Sequence, residues 1–152
     1  MPSRERVAAL VAMVEEGKYV EAIEAFYAED ATMQENNQRP RGGRDKLVEG
    51  ERKMLAAHSA ARTLPRSTFV VEGDYAVIRW VFVFTRKDGT SFRMEELAHQ
   101  RWRGDRIVEE RFYYDPAQLQ ARFTSPALSC SSRRWYRRPR LSPACRVSCW
   151  RT

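Results

Sequence analysis

Between Ser67 and Asp115 the chain alternates β-branched and aromatic runs with three glycine-bearing bends, Glu72-Gly73-Asp74, Lys87-Asp88-Gly89 and Arg103-Gly104-Asp105. A run such as Val77-Ile78-Arg79-Trp80-Val81-Phe82-Val83-Phe84 has strand propensity, and bends of this kind join neighbouring strands into hairpins. The stretch predicts consecutive antiparallel strands. A sheet with one broad apolar face must be covered, so the remaining chain is constrained to supply the cover.

Side chains alternate faces with period two, so the bends fix the faces once they fix the register. Glycine near the third position suits a three-residue loop, where it takes a left-handed conformation. With Lys87-Asp88-Gly89 as such a loop, Phe84 faces Phe92, Phe82 faces Met94, Trp80 faces Glu96 and Ile78 faces Ala98. The same rule at Arg103-Gly104-Asp105 sets Ala98 opposite Glu110, Glu96 opposite Phe112 and Met94 opposite Tyr114. At the first bend it sets Arg66 opposite Trp80. One face thus collects the large rings, with Glu96 and Glu110 embedded a diagonal apart. The other carries Val77, Val81 and Val83 beside Glu95, His99, Arg101, Glu109 and Arg111.

The cover is helical. Ser3 can cap a helix with Val7, Leu10, Val11 and Val14 at helical spacing, ended by Gly17. A second stripe follows, Tyr19, Val20, Ile23, Phe26 and Tyr27, closed by Asp30. Residues 31–35 predict a short strand and 36–43 a polar loop. A third helix from Arg44 to His58 presents Leu47, Val48, Glu51, Met54 and Leu55, with Gly50 as its weak point. Residues 62–71 predict a strand that Pro65 marks as an edge or a bulge. The order predicts an α+β fold.

A chain of 152 residues is long enough for one domain with a real core. Its net charge of +7 is uneven. Seven of the 27 basic residues lie beyond Thr124, where no acidic residue occurs, so residues 1–123 are neutral. The folded part therefore offers no footprint for nucleic acid or an anionic membrane. Residues 124–152 predict a disordered basic tail, because serine, arginine and proline cannot bury enough to offset ordering entropy. That tail holds Cys130, Cys145 and Cys149, whose spacing fits neither a disulfide framework nor a zinc site. Two isolated histidines, His58 and His99, predict no metal. The absence of an apolar run of membrane-spanning length or a signal-peptide core predicts a cytoplasmic protein.

The order of elements, with Tyr27-Ala28-Glu29-Asp30-Ala31-Thr32, Gly42-Gly43-Arg44-Asp45 and Arg111-Phe112-Tyr113-Tyr114-Asp115-Pro116, resembles the nuclear-transport-factor-2-like superfamily over about residues 3–120. More closely, it is similar to the SnoaL-like and ketosteroid-isomerase-related branch. The resemblance implies a cone-shaped barrel, a curved antiparallel sheet wrapped around three N-terminal helices. It implies a homodimer through the outer sheet face, where the Val77, Val81 and Val83 stripe lies, and a cofactor-independent site for a small apolar molecule.

The same scaffold serves isomerases, cyclases, hydrolases and binding modules, so function has to be read from the site. Glu35 stands where the resembling isomerases carry a general-base aspartate, and an apolar surround disfavours a carboxylate's charged form. Glu96 and Glu110 are the second candidates, as a proton-sharing pair or as partners of Arg66. Trp80, Phe82, Met94, Phe112 and Tyr114 would line a pocket, with Tyr27 and Tyr114 as donors to an enolate oxygen. The isomerase's oxyanion tyrosine would fall at Val11 and its protonated aspartate at Ala98, which argues against steroid isomerisation. The epoxide-hydrolase pattern needs an arginine between two inward carboxylates. Arg93-Met94-Glu95 has the spacing but points outward, leaving Glu96, Arg66 and Glu110 as a substitute. Isomerase or cyclase, hydrolase, and non-catalytic binding or dimerisation module all remain open on sequence.

Overall fold

The computed structural model describes residues 1–120 and the backbone of 123 and 124. The boundary placed after residue 123 and the basic tail expected over 124–152 fall essentially outside the described residues. The elements in order are α1 (Arg4–Glu15), α2 (Tyr19–Phe26), β1 (Tyr27–Glu35), β2 (Arg41–Gly42), α3 (Arg44–Ala57), β3 (His58–Thr63), β4 (Thr68–Glu72), β5 (Tyr75–Arg86), β6 (Thr90–Arg103), β7 (Arg106–Tyr113), a 3-10 turn over Pro116–Leu119, and β8 (Phe123–Thr124). The strands form one curled sheet in the order β2-β1-β7-β6-β5-β3, with β4 also on β5 and β8 on β6. Among the described residues no helix is long and apolar enough to cross a membrane.

Helix α1 starts where Ser3 Oγ accepts from the Arg6 amide at 3.1 Å, and it buries Val7, Leu10 and Val11. Helix α2 stops at Phe26, four residues before Asp30, and Tyr27 opens a strand instead. The carbonyl of Ala25 accepts from Arg6 Nη2 and Arg106 Nη1, both at 2.8 Å, so guanidinium groups stand where the next helical amide would. Tyr27 pairs in parallel with Ile107, and Glu35 with Phe112. The sheet is therefore mixed, not wholly antiparallel. A parallel neighbour is invisible to hairpin reasoning, which sees only adjacent strands.

The central hairpin has the expected register, from Phe84 opposite Phe92 to Ile78 opposite Ala98. The other two turns are one residue tighter. Glu72 pairs Tyr75 and Arg103 pairs Arg106, leaving two-residue loops in which Gly73 (φ 57°) and Gly104 (φ 64°) take the first position. A positive φ at that position suits glycine.

The consequences differ. Strand β4 slips by one, so Phe69 and Val71 turn inward and Val70 outward. Arg66 leaves the sheet altogether and sits exposed, at φ 73°, in the loop joining β3 to β4. In β7 an extra residue, Val108, bulges between Ile107 and Glu109 and restores the lost parity. Glu110 still points inward, but opposite Gln100, and Phe112 faces Ala98.

The three helices lie on the concave face, where Leu10, Ile23, Phe26, Leu47 and Val48 join Ile78, Trp80, Ala98, Trp102 and Ile107 in one core. Phe26 meets Trp102 edge-on at 6.5 Å. On the convex face Val81 and Val83 are themselves buried, whereas Val70, Tyr75, Leu97 and Tyr113 stand exposed.

Candidate functional site

The helices do not fill the concave face, and a cavity of about 200 Å³ remains between them and the sheet. Trp80, Phe82, Phe84, Met94 and Phe112 make its sheet wall, with ring centroids of Trp80 and Phe82 at 6.0 Å and of Phe82 and Phe84 at 5.7 Å. Tyr19 closes edge-on against Phe82 at 6.2 Å. Four carboxyls reach this apolar space, Glu35, Glu51, Glu96 and Glu110, with one guanidinium, Arg41.

Glu35 ends β1, and Asn36 fixes it there. The Asn36 amide donates to the Phe112 carbonyl at 2.8 Å, and Asn36 Oδ1 accepts from the Tyr114 amide at 3.0 Å. Asn36 sits at φ 45°, a conformation asparagine tolerates better than most residues. Strand β2 sets Arg41 opposite Met33, two residues before Glu35, so its Nη2 donates to Glu35 Oε1 at 3.2 Å. The Tyr114 hydroxyl also bonds Glu35; burial first, then the Glu35 charge, pushes that phenol up to about 12. The Arg41 and Glu35 side chains are 50% and 28% exposed, so this pair lies on the solvent side of the cavity.

Glu96 and Glu110 lie deeper. Glu110 is fully engaged. Tyr27 donates through its hydroxyl to Oε2, and Gln100 Nε2 donates to Oε1 at 2.7 Å. Trp102 Nε1 donates to Gln100 Oε1 at 3.1 Å, which fixes the amide so that its NH₂ must face Glu110. Burial raises the Glu110 carboxyl to about 7 against the pull of those two bonds, and holds the Tyr27 phenol well above its ordinary value.

Glu96 is only 5% exposed, faces Trp80 across the strands, and has no hydrogen-bond donor among the described residues. Burial first, then the charges of Glu35, Glu110 and Glu51, pushes it up to about 9.

The structure thus brings Glu35, Glu96, Glu110, Tyr27, Trp80, Phe82, Met94 and Phe112 to one cavity, with Tyr114 at its edge on Glu35. It does not bring Arg66. Nor do Glu96 and Glu110 form a diagonal pair, because the two-residue displacement of β7 moves Glu110 a further step away. Arg93 and Glu95 point outward, as expected, and bond each other at 2.9 Å.

Three groups escaped sequence reading in these roles: Arg41, Glu51 and Gln100. For Arg41 and Glu51 the one signal was Gly50, a residue that weakens a helix interior, and Gln100 gave none. A Cβ at Gly50 would stand 3.3 Å from Arg41 Nη1.

A cavity with acidic groups, enclosed by three helices and a curled mixed sheet, defines a class of small α+β domain with an internal site. A family model described as the SnoaL-like domain matches residues 7–110, and the chain belongs to that family. No curated protein matches the sequence. Among solved structures, one called a SnoaL-like polyketide cyclase, from Mesorhizobium loti, is 23% identical with a TM-score of 0.64, covering 75% of this chain and 100% of that one. A Catenulispora acidiphila protein with a ketosteroid isomerase-like fold, in complex with trimethylamine, is 21% identical with a TM-score of 0.64, covering 77% and 90%. TerC, co-crystallised with polyporic acid, is 16% identical with a TM-score of 0.65, covering 76% and 93%. At these identities the likeness establishes the fold.

Proposed function

We infer that the cavity performs cofactor-independent proton transfer beside a carbonyl of a small, apolar, ring-bearing substrate, the chemistry of an isomerase or cyclase. One observation carries this reading. Two carboxyls in one apolar cavity meet opposite surroundings: Glu35 is ion-paired with Arg41 at 3.2 Å, whereas Glu96 is buried opposite Trp80 without a donor.

Glu35 is then the base that removes a carbon-bound proton. Glu96, neutral at pH 7, offers its O–H to the carbonyl oxygen as negative charge develops there. A preorganised donor of that kind is worth about 3 kcal/mol of barrier. It replaces the donors missing at Val11 and Ala98. The resulting enolate is reprotonated at another carbon, or attacks a second carbonyl and closes a ring. Neighbours named as polyketide cyclases, and one named with a bound organic acid, support a ligand of this size and type.

The hydrolase reading loses Arg66, which lies in an exposed loop, and would have to be rebuilt on Arg41 with Glu35 and Glu51. The proposal includes a homodimer through the convex face, supported by exposed Val70, Tyr75, Leu97 and Tyr113.

A panel of cyclic ketones beginning with 2-tetralone, incubated in D₂O, tests the chemistry. Mass spectrometry should show deuterium entering beside the carbonyl faster than in buffer. Glu35→Gln should lower that rate at least 100-fold, the lower range for a general base. Ketones that bind without exchanging, or exchange equally with Glu35→Gln, would exclude the reading.

A further inference from the structure

Helix α3 carries Gly50 where alanine would be better by about 1 kcal/mol. A Cβ there would stand 3.3 Å from Arg41 Nη1, a few tenths of an ångström too close, so glycine lets the guanidinium rest against the helix without shifting. The next residue, Glu51, lines the same cavity from the helical side. Arg41 bonds Glu35, and its charge also acts on Glu51. No other basic side chain lines the cavity among the described residues. Glu51 in turn acts electrostatically on Tyr19 of α2, Tyr27 of β1, Glu96 of β6 and Glu110 of β7.

We propose that Glu51 is the second proton-transfer group of this site, coupled to Glu35 through the Arg41 guanidinium that Gly50 admits. The inference rests on the proton-transfer reading. Glu35 takes a proton as the C–H bond breaks and the electron pair moves towards the carbonyl. Glu51, in its acid form, gives its proton to a distal carbon of the enolate from the helical wall. Glu35 is left protonated and Glu51 ionised, and each resets by exchanging one proton with water. Glu110 does not have this freedom, since Tyr27 and Gln100 occupy its oxygens. Burial raises Glu51 to about 7, with Arg41 opposing and Glu35 adding to the rise, so both its forms are present near neutrality.

The test begins without substrate. In protein labelled with ¹³C at the glutamate carboxyls, one NMR resonance, absent from Glu51→Gln, should titrate near neutral pH. Arg41→Gln should move its midpoint up by roughly one pH unit, and Gly50→Ala should move it in the same direction. A midpoint in the ordinary carboxylate range, or one indifferent to Arg41→Gln, overturns the proposal. Cyclohex-3-enone in D₂O then reads the transfer. The two-group path puts solvent deuterium on the γ-carbon, and Glu51→Gln should slow it at least tenfold while flattening the fall in rate above pH 7. Return of the substrate's own proton to the γ-carbon also overturns the proposal. Failure of the probe to isomerise counts against the proton-transfer reading, and the titration still decides Glu51.

Discussion

On the convex face Glu95 accepts from Arg79 at 2.6 Å and from Arg93 at 2.9 Å, and Glu109 accepts from Arg101 at 2.9 and 2.7 Å. One residue further along each strand, on the concave face, Glu96 and Glu110 lie 5% and 3% exposed with no arginine bonded to either. Bonds from those arginines hold Glu95 and Glu109 below the usual carboxylate range, while burial lifts Glu96 and Glu110 above it. Residue type is therefore a poor guide to state. Strand alternation alone moves a glutamate from a solvated ion pair to a buried carboxyl whose charged form is disfavoured, because ion pairing needs room and water for two long side chains.

The sharpest way to break this contrast is to truncate the buried member of a consecutive pair. Glu110→Ala strands the Tyr27 hydroxyl and the Gln100 amide in the core, and should cost about 3–5 kcal/mol in urea unfolding. Glu109→Ala, one residue away, should cost less than about 1 kcal/mol. Similar losses from both would show that the two faces do not differ.

A smaller effect follows from Glu96. Its value in the folded protein lies above its unfolded one, so folding favours the acid form, and the stability this gives is present at low pH and lost as pH climbs from the ordinary carboxylate range towards about 9. Between pH 6 and 8 the wild type should lose about 3 kcal/mol more than Glu96→Gln. Parallel pH profiles for the two would mean that Glu96 is not buried as an acid. Glu95 and Glu109 act with the opposite sign, adding stability above their unfolded values that is lost as pH falls, and salt weakens it.

The least change in folding belongs to the convex apolar patch. Leu97→Asp should leave the monomer's own unfolding free energy within about 0.5 kcal/mol, as expected for a residue exposed on the single chain, so that any further loss is the dimer's contribution. Sedimentation should nevertheless show dimer giving way to monomer. A wild-type protein that sediments as a monomer removes the proposed interface.

Much of the concave wall was legible in advance. The Lys87-Asp88-Gly89 turn alone sets Trp80 against Glu96 and Phe82 against Met94, since a hairpin loop transmits its register down the whole strand pair. Errors entered where turn length was ambiguous by one residue. In β7 the Val108 bulge cancelled the error in facing, so Glu110 stayed inward; in β4 nothing cancelled it, and Arg66 was misplaced.

The chain's own pattern determined three covering helices, an alternating sheet and carboxyls sunk among rings, because periodicity and turn chemistry are local. Tertiary structure decided the rest: β1 lying parallel to β7, Arg41 resting on Gly50, and Gln100 and Tyr27 closing on Glu110. Those contacts join residues far apart in sequence, and no local propensity specifies which distant side chain arrives to neutralise a charge or leaves it without a partner.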